Sequence, residues 1–367
     1  MINRLYVHNF RCLENFELPL ARRRSVLLVG ANGVGKSTVR HALRLLQRIA
    51  RGTNRVGQLV SPGECTRGRM DAPMRFELEV RLGEHLYRYL LALELPPRFR
   101  ELRVFQEEFY VDGEPVFTRE LAQVTLQLDE GQAPLSTFRV DWHLVALPIL
   151  QERRGDTDPL FVFKQWLGRM MVLHPIPAQM SGASSIEKLE PEPDLSNLGE
   201  WWSGIIAHSP ASYVHIDAYL KQLMPDLVDV KNPLTGSENR SLTVQFRGPL
   251  NLPFDALSDG EKCFFACALV LASNRAYGPI FCFWDEPDSH LSLSEVSHFV
   301  GALRREFETG GQFLMTSHSA EAIRRFSDEN TIVLTRASHL EPPQVRWAES
   351  LSLNDDLANV LARGALP

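Results

Sequence analysis

No run of apolar residues in this chain approaches the roughly 18–20 that a membrane-spanning helix needs, and the N-terminus lacks the apolar stretch of a secretory signal. Both absences point to a protein of the cytoplasm with no membrane partner. There is no C-x-x-C pair either. The five cysteines (12, 65, 263, 267 and 282) sit among apolar neighbours and read as reduced thiols. Cys263 and Cys267 are four apart, yet no second ligand pair accompanies them, so they read as small core residues rather than metal ligands. Repeats and heptads are missing, which excludes solenoids and long coiled coils. Lysine is scarce, six residues against 33 arginines, and the net charge of −6 argues against general adhesion to nucleic acid. What the chain does have is 44% hydrophobic residues over a length of 367. That is enough for one large or two smaller cores, and it argues against extensive disorder.

Four stretches carry chemistry: Gly30-Ala31-Asn32-Gly33-Val34-Gly35-Lys36-Ser37, Leu257-Ser258-Asp259-Gly260-Glu261, Phe281-Cys282-Phe283-Trp284-Asp285-Glu286-Pro287, and Thr316-Ser317-His318. The first fits G-x-x-x-x-G-K-[ST]. It follows the apolar run Ser25–Val29 and precedes apolar residues at 39, 42, 43, 46, 49 and 50, a helical spacing. Strand, glycine loop and helix together are the context of a P-loop. Backbone N–H groups there close around a polyanion, and Thr38 stands in the first helical turn. Lys36 would reach the β- and γ-phosphates of a nucleotide, and Ser37 would ligate Mg²⁺. The third stretch is an apolar strand ending in two adjacent acids, a costly arrangement unless a cation waits there. Asp285 would hold Mg²⁺ through water, and Glu286 would polarise the attacking water. Ser258 with Glu261 is also a capping box, a reading compatible with a functional one.

With these motifs in this order the chain resembles the ABC-type ATPases. Leu257–Lys262 looks like their signature motif, which in the family caps a nucleotide held by a second subunit through Ser258 and Gly260. His318 resembles the switch histidine, and Ser289 is the candidate D-loop contact. From Lys36 to Ser258 is 222 residues, more than compact transporter ATPases leave and less than the coiled coils of SMC proteins occupy. The opening Asn9-Phe10-Arg11, followed by Glu17–Leu20, resembles the SMC/RecF branch, which implies Asn9 and Arg11 near the nucleotide. Residues 257–336 look most like the small OLD-like ATPases, many of them in anti-phage systems. Two departures stand out. Leu291-Ser292-Leu293-Ser294 replaces the family's histidine and proline after the leucine. Only 49 residues follow His318, too few for the TOPRIM nuclease domain of OLD proteins.

The expected fold is α/β: an ABC-type P-loop ATPase with a mixed central sheet, an N-terminal antiparallel β-subdomain and an inserted, mainly helical lid. The expected division is 1–140 (lobe I), 141–225 (insertion) and 226–367 (lobe II). Residues 74–95 alternate about a turn at Gly83-Glu84, and Asp112-Gly113 reads as a type I′ hairpin turn. Residues 141–173 read as helical, with Gln151 as the candidate Q-loop metal contact. Pro175–Pro193 reads as a flexible acidic connector, and 211–224 as an amphipathic helix followed by strands near 227–231 and 241–247. Arg40, Arg44, Arg48, Arg51 and Arg55 recur every three or four residues, a cationic stripe able to follow DNA or simply a solvated helix face. The resemblance implies an ATP-dependent homodimer that gates a separate effector, a nuclease or toxin. A RecF-like DNA-repair ATPase is the alternative, and a transporter motor is a more distant third.

Overall fold

A computed structural model describes residues 1–127, 136–152, 155–236, 238–351 and 356–362. The strands in chain order are β1 (Ile2–His8), β2 (Phe16–Pro19), β3 (Ser25–Val29), β4 (Met74–Leu82), β5 (His85–Glu94), β6 (Arg103–Val111), β7 (Glu114–Glu120), β8 (Gln123–Leu126), β9 (Ser136–Arg139) and β10 (Met171–Leu173). They continue as β11 (Ala183–Ser184), β12 (Leu227–Lys231), β13 (Arg240–Ser241), β14 (Thr243–Phe246), β15 (Asn251–Pro253), β16 (Phe281–Trp284), β17 (Gln312–Thr316), β18 (Thr331–Thr335) and β19 (Gln344–Trp347). The helices are α1 (Lys36–Ala50), α2 (Val56–Leu59), α3 (Pro159–Arg169), α4 (Leu198–His208), α5 (Ser212–Leu223), α6 (Asp259–Tyr277), α7 (Leu293–Thr309), α8 (Ala320–Arg325) and α9 (Leu357–Ala362).

Two large sheets organise these elements. The first is antiparallel, in the order β2-β1-β4-β5-β6-β7-β8-β9. The second is mixed, β10-β16-β17-β3-β18-β19, with only β19 antiparallel to its neighbour. Side chains alternate across a strand, and the central strands use both faces. Val26, Leu28, Phe281, Phe283 and Leu314 join a core shared with α1, α3 and the antiparallel sheet. Leu27, Val29, Cys282, Trp284, Phe313 and Met315 join the core beneath α4, α5, α6 and α7. Buried Gln312 ties the sheets together: its Oε1 accepts from the Ile2 N–H at 2.7 Å, and its Nε2 donates to the Ile2 carbonyl at 3.0 Å.

The alternation over 74–95 becomes the pair β4–β5. Asp112 and Gly113, at φ 51° and 90°, make the β6–β7 turn. Over 141–173 the structure differs from a continuous helix. Among the described residues the one α-helix there is α3, preceded by a 3-10 turn at Gly155–Thr157 and opened by Pro159 and by an Asp158 side chain that accepts from the Leu160 N–H; residues 153–154 lie outside the described residues. Met171–Leu173 is a strand, hydrogen-bonded to β16. A short apolar run has no period that separates strand from buried helix. The segment 141–225 is therefore shared between both cores and the central sheet rather than standing apart as one helical lid. The stretch 175–193 is also packed, not a loose connector. The Tyr277 hydroxyl donates to the Leu189 carbonyl at 2.9 Å, and the Lys188 N–H donates to the Glu200 carbonyl at 3.1 Å. Among the described residues no helix is long and apolar enough to cross a membrane.

Candidate nucleotide site

The carboxyl ends of β3, β16 and β17 lie side by side and deliver the conspicuous motifs to one edge. After β3 the chain turns through Gly30, Gly33 and Gly35, all at positive φ, into α1. A Cβ on Gly30 would stand 2.4 Å from the Leu334 carbonyl oxygen, so no other residue fits. A Cβ on Gly33 would meet nothing within 4 Å, which leaves that side of the loop open to a ligand. The buried Lys36 ammonium donates to the carbonyls of Gly30 at 2.7 Å and Ala31 at 3.2 Å, bracing the loop from inside. Burial lowers the Lys36 pKa, against the opposing pull of Glu286 and Asp285. Asn32 and Ser37 are exposed, Val34 is buried, and the Thr38 hydroxyl lies 3.4 Å from Cys12 Sγ.

Asp285 is buried and Glu286 is not, although they are adjacent. Glu286 has φ 48°, a left-handed conformation that costs a non-glycine residue about 1–2 kcal/mol and turns it out of the strand. One hydroxyl holds both: Thr316 Oγ1 accepts from the Glu286 N–H at 2.9 Å and donates to Asp285 Oδ1 at 2.7 Å. The other Asp285 oxygen faces Arg40 at 3.4 Å and His174 Nδ1 at 3.7 Å. His318 Nε2 is 3.4 Å from Glu286 Oε1. Behind this pair, buried Asp288 accepts from the Ser317 hydroxyl, and burial raises its pKa. The donor set suits Mg²⁺: a hydroxyl on Ser37 and a carboxylate on Asp285, with phosphate and water to complete an oxygen shell.

Other candidates take different places. Ser258 caps α6 in a reciprocal box with Glu261 and is exposed, and a Cβ on Gly260 would stand 3.1 Å from the His290 carbonyl oxygen. Ser289 is exposed and donates its N–H to the Glu286 carbonyl at 3.4 Å. Asn9 is buried, and its amide is committed: Nδ2 donates to the Arg69 and Ala72 carbonyls while Oδ1 accepts from the Thr66 N–H. It therefore shapes a loop and does not face a ligand. Arg11 pairs with Glu64 at 2.8 Å. Gln151, the candidate Q-loop contact, lies in the chain segment before α3. It is exposed, flanked by Leu150 and Glu152, which both bind Lys164 on α3. The residue abreast of Asp285 is His174, immediately after β10. The Asp285 N–H donates to the Leu173 carbonyl, and His174 Nδ1 is buried without a hydrogen-bond partner. The arginine stripe is mostly engaged within the chain. Arg40 faces Asp285, Arg44 faces Glu192, Arg51 donates to the Gly168 carbonyl, and Arg55 faces Glu101.

Two family models match this chain. The model described as "AAA domain, putative AbiEii toxin, Type IV TA system" aligns with residues 172–324, and an "AAA ATPase domain" model aligns with residues 1–58. Together they enclose every motif above. The two regions that hold the motifs are thus those matched by AAA ATPase domain models. The chain's fold is that of solved SMC heads. An SMC head bound to the C-winged helix domain of ScpA superposes with TM-score 0.57 at 14% identity, over 95% of this chain and 98% of that one. A second, with an extended coiled coil and derived from Pyrococcus furiosus, gives TM-score 0.51 at 12% identity over 95% and 96%. In sequence, an OLD nuclease from Thermus scotoductus is 48% identical over 46 residues, 12% of this chain and 8% of its own length. Chromosome partition protein Smc from Chlorobaculum tepidum is 32% identical over 77 residues, 21% of this chain and 6% of its own. The matches thus span under a tenth of those relatives.

Three residues of the ATPase domain's acidic edge escape sequence reasoning. Thr316 begins the Thr-Ser-His motif but reads there as the end of a strand, and its bridging role needs β17 placed beside β16. Arg40 reads as one member of a solvated stripe. His174 carries a faint signal, a polar residue closing the apolar run Met170–Leu173 before a proline.

Proposed function

We propose that this protein binds Mg-ATP at the Gly30–Thr38 loop and hydrolyses it. The observation that carries the reading is the Thr316 hydroxyl, which holds buried Asp285 and outward-turned Glu286 at the end of one strand, beside the loop that Lys36 braces. Bound Mg²⁺ would neutralise charge on the phosphates. The chain's own groups do the rest. Lys36 and the loop N–H groups bind the phosphates, Ser37 and Asp285 hold the metal, and Glu286 takes a proton from the attacking water with His318 beside it. A carboxylate 41% exposed at its side chain and 3.4 Å from an imidazole is open to that water.

The signature residues supply the quaternary part. Ser258 and Gly260 stand at the N-terminus of the 19-residue α6, where an anion is favoured, and the hydroxyl of Ser258 bonds only within its capping box, to Glu261. In this reading each copy caps the nucleotide of the other, so ATP joins two chains head to tail and hydrolysis parts them. A Glu286→Gln variant retains ATP, stops turning it over and accumulates dimers, which light scattering detects. Normal turnover by a monomeric variant would refute both roles.

The cycle serves, on this proposal, to gate a separate effector in anti-phage defence in the cytoplasm. The match to a toxin–antitoxin ATPase model and the local similarity to an OLD nuclease support it. The similarity to Smc favours a second reading, a DNA-repair ATPase. A pull-down from the native host with tagged Glu286→Gln in Mg-ATP separates them. A nuclease or toxin at fixed stoichiometry supports gating; DNA with recombination proteins and no effector supports repair.

A further inference from the structure

At the amino ends of β3, β16 and β17, away from the glycine loop, lies a cavity of about 930 Å³. It is walled by α3, by the turn between β4 and β5, and by the segments that lead into β16 and β17. Its lining includes Arg24, Arg81 and Arg169, the Met1 amine, and His85, whose ring is held by Asp112 at 2.6 Å; the lining itself contains no aspartate or glutamate. In a chain with 45 acidic residues against 39 lysines and arginines, such a cleft is a segregated charge. The three arginines are exposed, and among the described residues none is paired with a carboxylate; the Arg81 guanidinium donates to the Glu84 carbonyl, at 3.0 Å. Burial, with Arg24 and Arg81 nearby, draws the Met1 amine down to about 6. The aromatic side chains of Trp166 and Tyr277, partly exposed, line the same space.

We propose that this cleft binds a nucleotide unit, its phosphate against Arg24 and Arg81 and its base against Trp166 or Tyr277. Unpaired guanidinium groups beside aromatic rings are what single strands and nucleotides need, since every base has a face to stack while the phosphate seeks charge. An inorganic anion would have no use for the rings. The site is separate from the glycine loop: the extended run through β3 puts about 20 Å, six residue steps, between Arg24 and Gly30. Of the arginine stripe, Arg51 lies close by, beyond Arg169 and Tyr277, and its guanidinium is engaged by the Gly168 carbonyl. The unit could come from a free mononucleotide or from a nucleic-acid strand, and the test distinguishes them.

The full chain, in EDTA and without ATP, is titrated against a 3′-fluorescein, 5′-phosphorylated oligothymidylate at low salt, and anisotropy is read. Binding should saturate and weaken as salt rises. It should fall at least about tenfold in an Arg24→Glu/Arg81→Glu double variant whose thermal melt matches the parent, and it should survive Lys36→Ala. Displacement by excess thymidine monophosphate identifies a single-nucleotide site, and resistance to it identifies a strand. Equal affinity in the double variant, loss in Lys36→Ala, or no binding at low salt would overturn the proposal. Its failure would leave the ATPase reading untouched.

Discussion

Thr316 shows how much a single hydroxyl can decide. It accepts from one backbone and donates to the neighbouring carboxylate, so replacing it with valine leaves a buried Asp285 oxygen and the Glu286 N–H without a partner. Thr316→Val should cost about 1–3 kcal/mol in urea unfolding. It should also slow ATP turnover by tenfold or more while ATP still binds; turnover at the parent rate would show that Glu286 needs no such brace. His41, on α1, offers a test in pH. Burial first, then Arg11 and Arg40, lower its pKa from 6.5 to about 4. Between those values the unfolded chain binds a proton that the folded chain does not, so stability falls as pH drops through that window. Thermal melts should decline from pH 7 to pH 4, and a His41→Gln variant should decline less. Parallel curves for the two proteins would assign the acid sensitivity elsewhere.

Elements, too, are held by polar groups placed inside them. In β6 the fully buried Glu107 accepts from the N–H groups of Ala146 at 2.7 Å and Leu147 at 2.9 Å and from the Tyr89 hydroxyl at 3.0 Å, with Arg119 of β7 at 3.5 Å. Burial raises the Glu107 pKa, while the two backbone donors and Arg119 act to lower it. The cluster pins the chain after β9 back onto the antiparallel sheet. Glu107→Ala strands a buried arginine and two backbone donors, and should destabilise the protein by about 3–5 kcal/mol. Glu107→Gln keeps an acceptor and should cost less; equal losses would mean that volume, not hydrogen bonding, governs the site. The arginines of α1 teach the converse. Their spacing along the helix reads as a surface stripe, yet α3, Glu192 and Asp285 pack against that face and engage it.

For the whole molecule the decisive prediction is a change of assembly with nucleotide. Ser258 and Gly260 sit on α6, while the glycine loop opens from β3, and the proposed function needs a second copy to bring one to the other. Glu286→Gln with Mg-ATP should move from monomer to dimer, with a midpoint that shifts with protein concentration as mass action requires. Without ATP, or with Lys36→Ala added, it should stay monomeric. A dimer that forms equally well without nucleotide would remove ATP as the joining element.

Much of this was legible in the chain itself. The glycine loop, the two acids after an apolar strand and the capped helix at Ser258 are short-range patterns, because local backbone geometry and one-sided burial depend on neighbouring residues. The hairpins at Gly83 and Asp112 are of the same kind. Other features belong to the tertiary structure alone. Sheet order sets Thr316, His174 and Arg40 around Asp285 from 31, 111 and 245 residues away. The three-residue strand β10 could be told from helix only by its partner β16, and that pairing is what sets His174 beside Asp285. The stripe of arginines met its counter-charges, and three unpaired arginines gathered at the opposite end of the sheet. Linear spacing encodes what each segment can be; which charges meet depends on the order in which the strands pair.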